Sequence, residues 1–177
     1  MDLHEFKGGK MYFDEELPST VKELIDEASE LYAEGDAEKP LLRAYYLAPT
    51  SLTVLVAIYR FYYYQHRYDD ALVAAHASLE QITRRLNFPC GWERMDLTTL
   101  GYGVMDSMTL VRFYLLALKG AGYLNLRLGN MDLGIQMLEK VVELDSKDRL
   151  GVTALLNTVE GYRRRKNANF GKLTVVV

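Results

Sequence analysis

Residues 52–85 read LTVLVAIYRFYYYQHRYDDALVAAHASLEQITRR, and residues 115–148 read LLALKGAGYLNLRLGNMDLGIQMLEKVVELDSKD. Superposed at a constant offset of 63 residues, Tyr68 falls on Met131, Ala71 on Gly134 and Leu79 on Val142. In each stretch apolar residues recur at helical spacing, stop at a polar turn, and resume, which is the pattern of two amphipathic helices joined by a short connection. Alternating β-branched residues are nearly absent until Leu173-Thr174-Val175-Val176-Val177. The expected fold class is therefore all-α.

Working outward from these pairs, start and stop signals predict helices over 19–34, 38–48, 51–66, 69–86, 106–128, 131–145 and 148–166. Ser19 or Thr20 is the expected N-cap of the first, with Glu23 behind it and Gly35 as its stop. Pro49, Pro89 and Gly101-Tyr102-Gly103 are the clear breaks, and 87–105 is the least regular segment. The chain has 177 residues, 49% hydrophobic and 25% charged, in the range of one soluble domain. A single cysteine, Cys90, excludes an intrachain disulfide and a cysteine-cluster metal site. The acidic start, without an apolar core, does not read as a signal peptide, so a cytoplasmic protein is expected.

A 34-residue unit, small residues at the helix crossing and a turn between the helices resemble the tetratricopeptide repeat. Ala121 and Gly122 fall where that family has its Leu-Gly pair, Gly129 at its turn glycine, Gly134 at its usual alanine, and Pro49 at the closing proline of a preceding repeat. The resemblance implies an antiparallel helix-pair, superhelical stack over 19–170. Its repeats are about 21–51, 52–85 and 115–148, with an insertion at 86–114, a capping helix at 148–166, an arm at 1–18 and a tail at 171–177. Tyr59 is bulky where the family is small, a departure expected to be offset by Ala71, Ala74, Ala75 and Ala77 on the facing helix. Within that family, Leu41–Leu72 is similar to small repeat proteins that accompany nitrogen-fixation genes, the nitrogenase-associated factors. That resemblance implies an accessory role in assembling, protecting or repairing nitrogenase.

The family's ligand-facing positions fall on Lys22, Ile25, Ser29 and Tyr32, then Val56, Arg60, Tyr63 and Tyr64, then Lys119, Tyr123 and Arg127. Tyrosine offers contact area with a hydroxyl and arginine a forked donor, the chemistry enriched at protein hot spots. Part of Phe61-Tyr62-Tyr63-Tyr64 must nonetheless pack inward, since four consecutive residues go round a full turn. Ser29 and Arg60 stand where the family's carboxylate clamp has asparagine, which disfavours recognition of a chaperone tail. In the insertion, Phe88-Pro89-Cys90-Gly91-Trp92 with Met95 and Tyr102 forms either an exposed apolar patch, with Trp92 as a contact, or a filler between repeats.

Catalytic patterns are lacking. His4, His66 and His76 show no paired-ligand spacing, and no GxSxG, P-loop or GxGxxG is present. The expectation is a non-enzyme without cofactor or metal, with Cys90 an inert thiol rather than a sensor. Residues 1–40 carry four Lys/Arg against twelve Asp/Glu, and 147–177 carry seven against two. That split opposes nucleic-acid binding, and Arg163-Arg164-Arg165-Lys166 reads as a complement to a helix carbonyl end. No membrane contact is expected. Phe6, Met11, Tyr12 and Phe13 mark an arm that packs on the first helix or orders on binding, and the valine-rich tail docks on a partner or its own domain. The expected function is an adaptor or assembly factor for a protein, a nitrogenase component by the second resemblance; the alternative is a chaperone holding a peptide of an exported protein.

Overall fold

The computed structural model describes residues 15–173, and expectations for residues 1–14 and 174–177 lie outside that range. Among the described residues there are seven α-helices and no strand: α1 (Ser19–Glu30), α2 (Glu38–Leu47), α3 (Leu52–Tyr64), α4 (Tyr68–Arg85), α5 (Leu97–Arg127), α6 (Met131–Leu144) and α7 (Val152–Leu173). The all-α expectation holds for these residues.

Several boundaries differ from the pattern for identifiable reasons. Pro18, extended at φ −54° and ψ 144°, takes the capping position of α1 in place of Ser19 or Thr20, and its carbonyl accepts from the Val21 and Lys22 amides. The last helix begins at Val152 rather than 148, because Asp148 turns left-handed (φ 46°) and its carboxylate receives the Val152 amide at 2.7 Å and the Thr153 amide at 3.2 Å. Residues 97–105, expected to be irregular, are helical. Asp96 caps them by accepting from the Thr99 amide at 2.7 Å. A break inside α5 falls at Ser107 (φ −159°, ψ 103°), whose hydroxyl accepts from the Leu110 amide at 3.2 Å and starts the second half afresh.

The paired segments end their first helices alike. Gly129 (φ 87°) closes α5 with an Asn130 amide bond to Asn125 O, and His66 (φ 59°) closes α3 with an Arg67 amide bond to Tyr62 O, each 2.9 Å. This is the six-to-one closure that a left-handed residue permits. Glycine adopts it freely and histidine does so uncommonly, here with Nδ1 2.9 Å from the Tyr68 hydroxyl.

Each helix packs on the next in sequence order, from α1 on α2 through to α6 on α7. At the α5–α6 crossing Gly122 meets Gly134 so closely that a Cβ on Gly134 would lie 2.8 Å from Gly122 O. Leu118, Leu124, Met137, Leu138 and Val141 fill the core on either side. Tyr59 also draws room from a helix outside its pair: Gly120 on α5, whose Cβ would stand 2.9 Å from the Tyr59 hydroxyl, lies beside it, and Ala71, Ala74 and Ala75 are buried along the facing α4. Phe88 and Met95 are buried, with Phe88 edge-on to Tyr114 at 5.5 Å, so these members of the insertion act as filler. Tyr102, 68% exposed, does not.

Glu15 ties the chain's start to the middle of the fold. Its carboxylate accepts from the Ser51 hydroxyl at 2.6 Å, the Thr53 amide at 3.0 Å and Arg85 Nη2 at 2.6 Å. Ser51 in turn caps α3 by accepting from the Val54 amide at 3.2 Å. Pro49 explains why α2 stops where it does: Ala48, the residue before it, leaves the helical region at φ −140° and ψ 66°.

Candidate functional site

Tyr59 and Tyr63, four apart on α3, share one face, and their rings stack at 5.9 Å with 19° between planes. Tyr63 is the hub of the cluster. Its ring lies 5.5 Å from Tyr64, 6.2 Å from Tyr68 and 6.1 Å from Tyr123 across on α5. Arg127, one turn beyond Tyr123, donates from Nη1 to the Tyr123 hydroxyl at 2.9 Å and lies over the Tyr68 ring at 4.5 Å. Cation–π contact and a charge-assisted hydrogen bond thus hold an exposed guanidinium in place.

The cluster continues toward the amino end. Tyr32 meets Phe61 edge-on at 6.2 Å; burial and then the neighbouring Tyr64 phenol push its own phenol up, against the opposing charge of Arg60. Tyr32, Arg60, Tyr63, Tyr64, Tyr123 and Arg127 therefore form one strip from the turn after α1, along α3, to the second half of α5. Lys119 is on the same face of α5, but its ammonium donates to Leu150 O at 2.6 Å and so ties α5 to the loop before α7. Trp92 lies elsewhere, half-buried in a short turn (Trp92–Arg94) that packs on α6. Tyr59 and Tyr68 were missed in the sequence, although the four-residue spacing of Tyr59 and Tyr63 is a signal for the first.

Burial, followed by its hydrogen bond to Tyr123, pushes the Tyr63 phenol up from 10.0 to about 12. Tyr59 is raised still more, chiefly by burial. A folded-state value above the unfolded one gives stability that is complete below pH 10 and is lost as pH rises through the folded value. Tyr62, buried and hydrogen-bonded to Glu38, is also pushed up to about 12, so phenolate absorbance should show two late-ionising groups near pH 12 and lose one of them in Tyr63→Phe, with thermal stability falling only above pH 10.

Cys90 is half-buried, and among the described residues no three His, Cys, Asp or Glu side chains gather closely enough to hold a metal ion. No described helix is long and apolar enough to cross a membrane. No protein-family model matches the chain. It is 50% identical, over 90% of its own length and 89% of the relative's, to an uncharacterized 19.8 kDa protein in the nifW 5′ region of Azotobacter chroococcum mcd 1. The chain belongs to that protein's family. The shared segment of this family, 159 residues long, is too extensive to exclude the helices that carry the strip.

Proposed function

We propose that the chain is a non-catalytic, tetratricopeptide-like interaction module that docks a protein partner on the tyrosine–arginine strip and serves nitrogen fixation as an assembly or protection factor. The carrying observation is the strip itself: rigid aromatic rings and oriented guanidinium groups, in part exposed, spread over successive elements. Sequential helix packing, the Gly122–Gly134 crossing and the matched closures at His66 and Gly129 favour the repeat reading. The relative in the nifW 5′ region favours the nitrogen-fixation context, and a nitrogenase component is the partner we infer.

Charge narrows the partner. Neither α3 nor residues 107–127 contain Asp or Glu, while together they carry Arg60, Arg112, Lys119 and Arg127. In a chain of net charge −3 this is a local cationic surface, which fits an acidic protein face. Binding should weaken as salt rises.

The test is affinity capture from native soluble extract of a nitrogen-fixing bacterium carrying this protein, grown with and without fixed nitrogen. Wild type and Arg60→Glu/Tyr64→Ala are the paired baits. Tyr64 is the better target than Tyr63, whose ring packs against four others. Wild type should recover a nitrogenase component from nitrogen-fixing cells, and the variant should bind it about 30-fold more weakly, the loss of ~2 kcal/mol typical of a hot-spot anchor. Equal capture by both baits overturns the strip. Capture of an exported protein, with strong binding to its linear 15-residue peptides, overturns the assembly role in favour of a peptide-holding chaperone.

A further inference from the structure

The amino half of α5, from Leu97 to the break at Ser107, is apolar on two sides. Its inner side is buried: Leu100 and Gly103 turn to the core, with the Phe88 ring 2.6 Å from where a Gly103 Cβ would be. Its outer side is open. Leu97, Tyr102 and Met105 are 56%, 68% and 84% exposed, and Met108, just past the break, is 60% exposed. At ~100° per residue, Leu97, Met105 and Tyr102 fall within an arc of about 140°, opposite Leu100 and Gly103. Unbranched methionines beside a tyrosine make an adaptable apolar surface, and a patch of this kind marks a contact with another molecule.

Size and charge select the occupant. At typical side-chain areas these residues expose about 600 Å² per copy, and two copies together about 1,200 Å², the lower edge of a specific protein interface. The ends of the stripe carry opposite charges: Arg94 is exposed in the turn ahead of the helix, and Asp106 is exposed at the far end. Neither has an ion-pair partner among the described residues. The other acids near Arg94 are engaged elsewhere, Asp96 by the Thr99 amide and Glu93 beside His76 and Tyr114. A copy laid antiparallel across a two-fold axis sets Leu97 of each chain beside Met105 of the other, with the Tyr102 rings between them and Arg94 of each beside Asp106 of the other. A parallel copy would oppose like charges.

We infer that the protein forms a two-fold dimer through the outer face of the amino half of α5, with a second copy of the chain as the occupant. Leu97, Tyr102 and Met105 form its apolar centre, and Arg94 with Asp106 fixes its direction. This is independent of what the tyrosine–arginine strip binds.

The test is sedimentation equilibrium of the full chain with reductant, over a concentration series at low salt. Wild type should dimerise with a dissociation constant of about 1–100 μM, as suits an interface at the lower size limit. Met105→Glu puts a carboxylate into each half of the contact and should weaken the dimer about 100-fold. Met105 is largely exposed, so the helix content of this variant should match wild type, which circular dichroism checks. Arg94→Glu and Asp106→Arg, each alone, create like-charged pairs at both ends and should each weaken the dimer about tenfold. Mixed in equal amounts, these two variants should recover wild-type affinity as a mixed dimer, because every acid then meets a base. A wild type still monomeric at about 300 μM overturns the proposal and gives the face to a different protein. A dimer that Met105→Glu leaves intact, or charge variants that show no preference for each other, overturns it by placing the contact on another face.

Discussion

Gly134→Val is expected to destabilise the protein by about 3 kcal/mol, the upper range for overpacking a close contact. The Cβ would lie 2.8 Å from Gly122 O and 2.8 Å from the Leu126 side chain. The leucine can rotate away but the carbonyl cannot, so α5 and α6 must separate and release the contacts of Met137 and Leu138. Gly101 provides the control of opposite sign. It too is inside a helix, yet nothing lies within 4 Å of its Cβ position. Gly101→Ala should stabilise by about 0.5–1 kcal/mol through helix propensity alone. Urea denaturation of both variants checks the pair. A Gly134→Val protein as stable as wild type would mean that the two backbones are not in contact.

Glu15→Ala is expected to cost about 2–3 kcal/mol, because it leaves the Ser51 hydroxyl, the Thr53 amide and Arg85 without the acceptor they share. The side chain is 15% exposed, so water replaces the carboxylate poorly. Burial by itself would raise the carboxyl's pKa; bonds from Ser51, Arg85 and Thr53 outweigh it and hold the value below the ordinary 4.5. The folded value being the lower one, this contribution is complete above the unfolded pKa and is lost as pH falls through the folded pKa. The stability gap between wild type and Glu15→Ala should therefore be full at pH 6 and close progressively below about pH 4.5. A gap that stays constant down to pH 2 would show that Glu15 does not act as a carboxylate.

Periodicity located the helices because each buries a stripe of side chains at three- and four-residue spacing, a property local to its own residues. What needed a distant residue was not legible. Residues 97–105 read as irregular because Gly101 and Gly103 look like helix breakers. In the fold, Gly103 is there because the Phe88 ring stands 2.6 Å from where its Cβ would be. Tyr59 looked like a misfit in one helix pair until Gly120, some sixty residues on, proved to be its counterpart. The strip was visible in part for the same reason. Tyr63, Tyr64, Tyr123 and Arg127 lie on helices with a readable inner face. Tyr68 joins them from the first residue of α4, where helical periodicity has not begun, and the bond from Lys119 to Leu150 O depends on a loop whose course the spacing does not reveal.

Because each helix holds on to the one before it and the one after it, the fold has few ties between remote parts of the sequence. Glu15, bonded to Ser51 and Arg85, is an exception, a clasp of 70 residues' separation. Pulled from its two ends, such a molecule should not rupture in one event. The carboxyl end should unzip first, α7 and then α6, at low force. The amino end, latched by the clasp, should resist longer, so that α3, α4 and α5 with their tyrosines come apart last. A partner seated on the strip would be holding the mechanically most durable part of the chain.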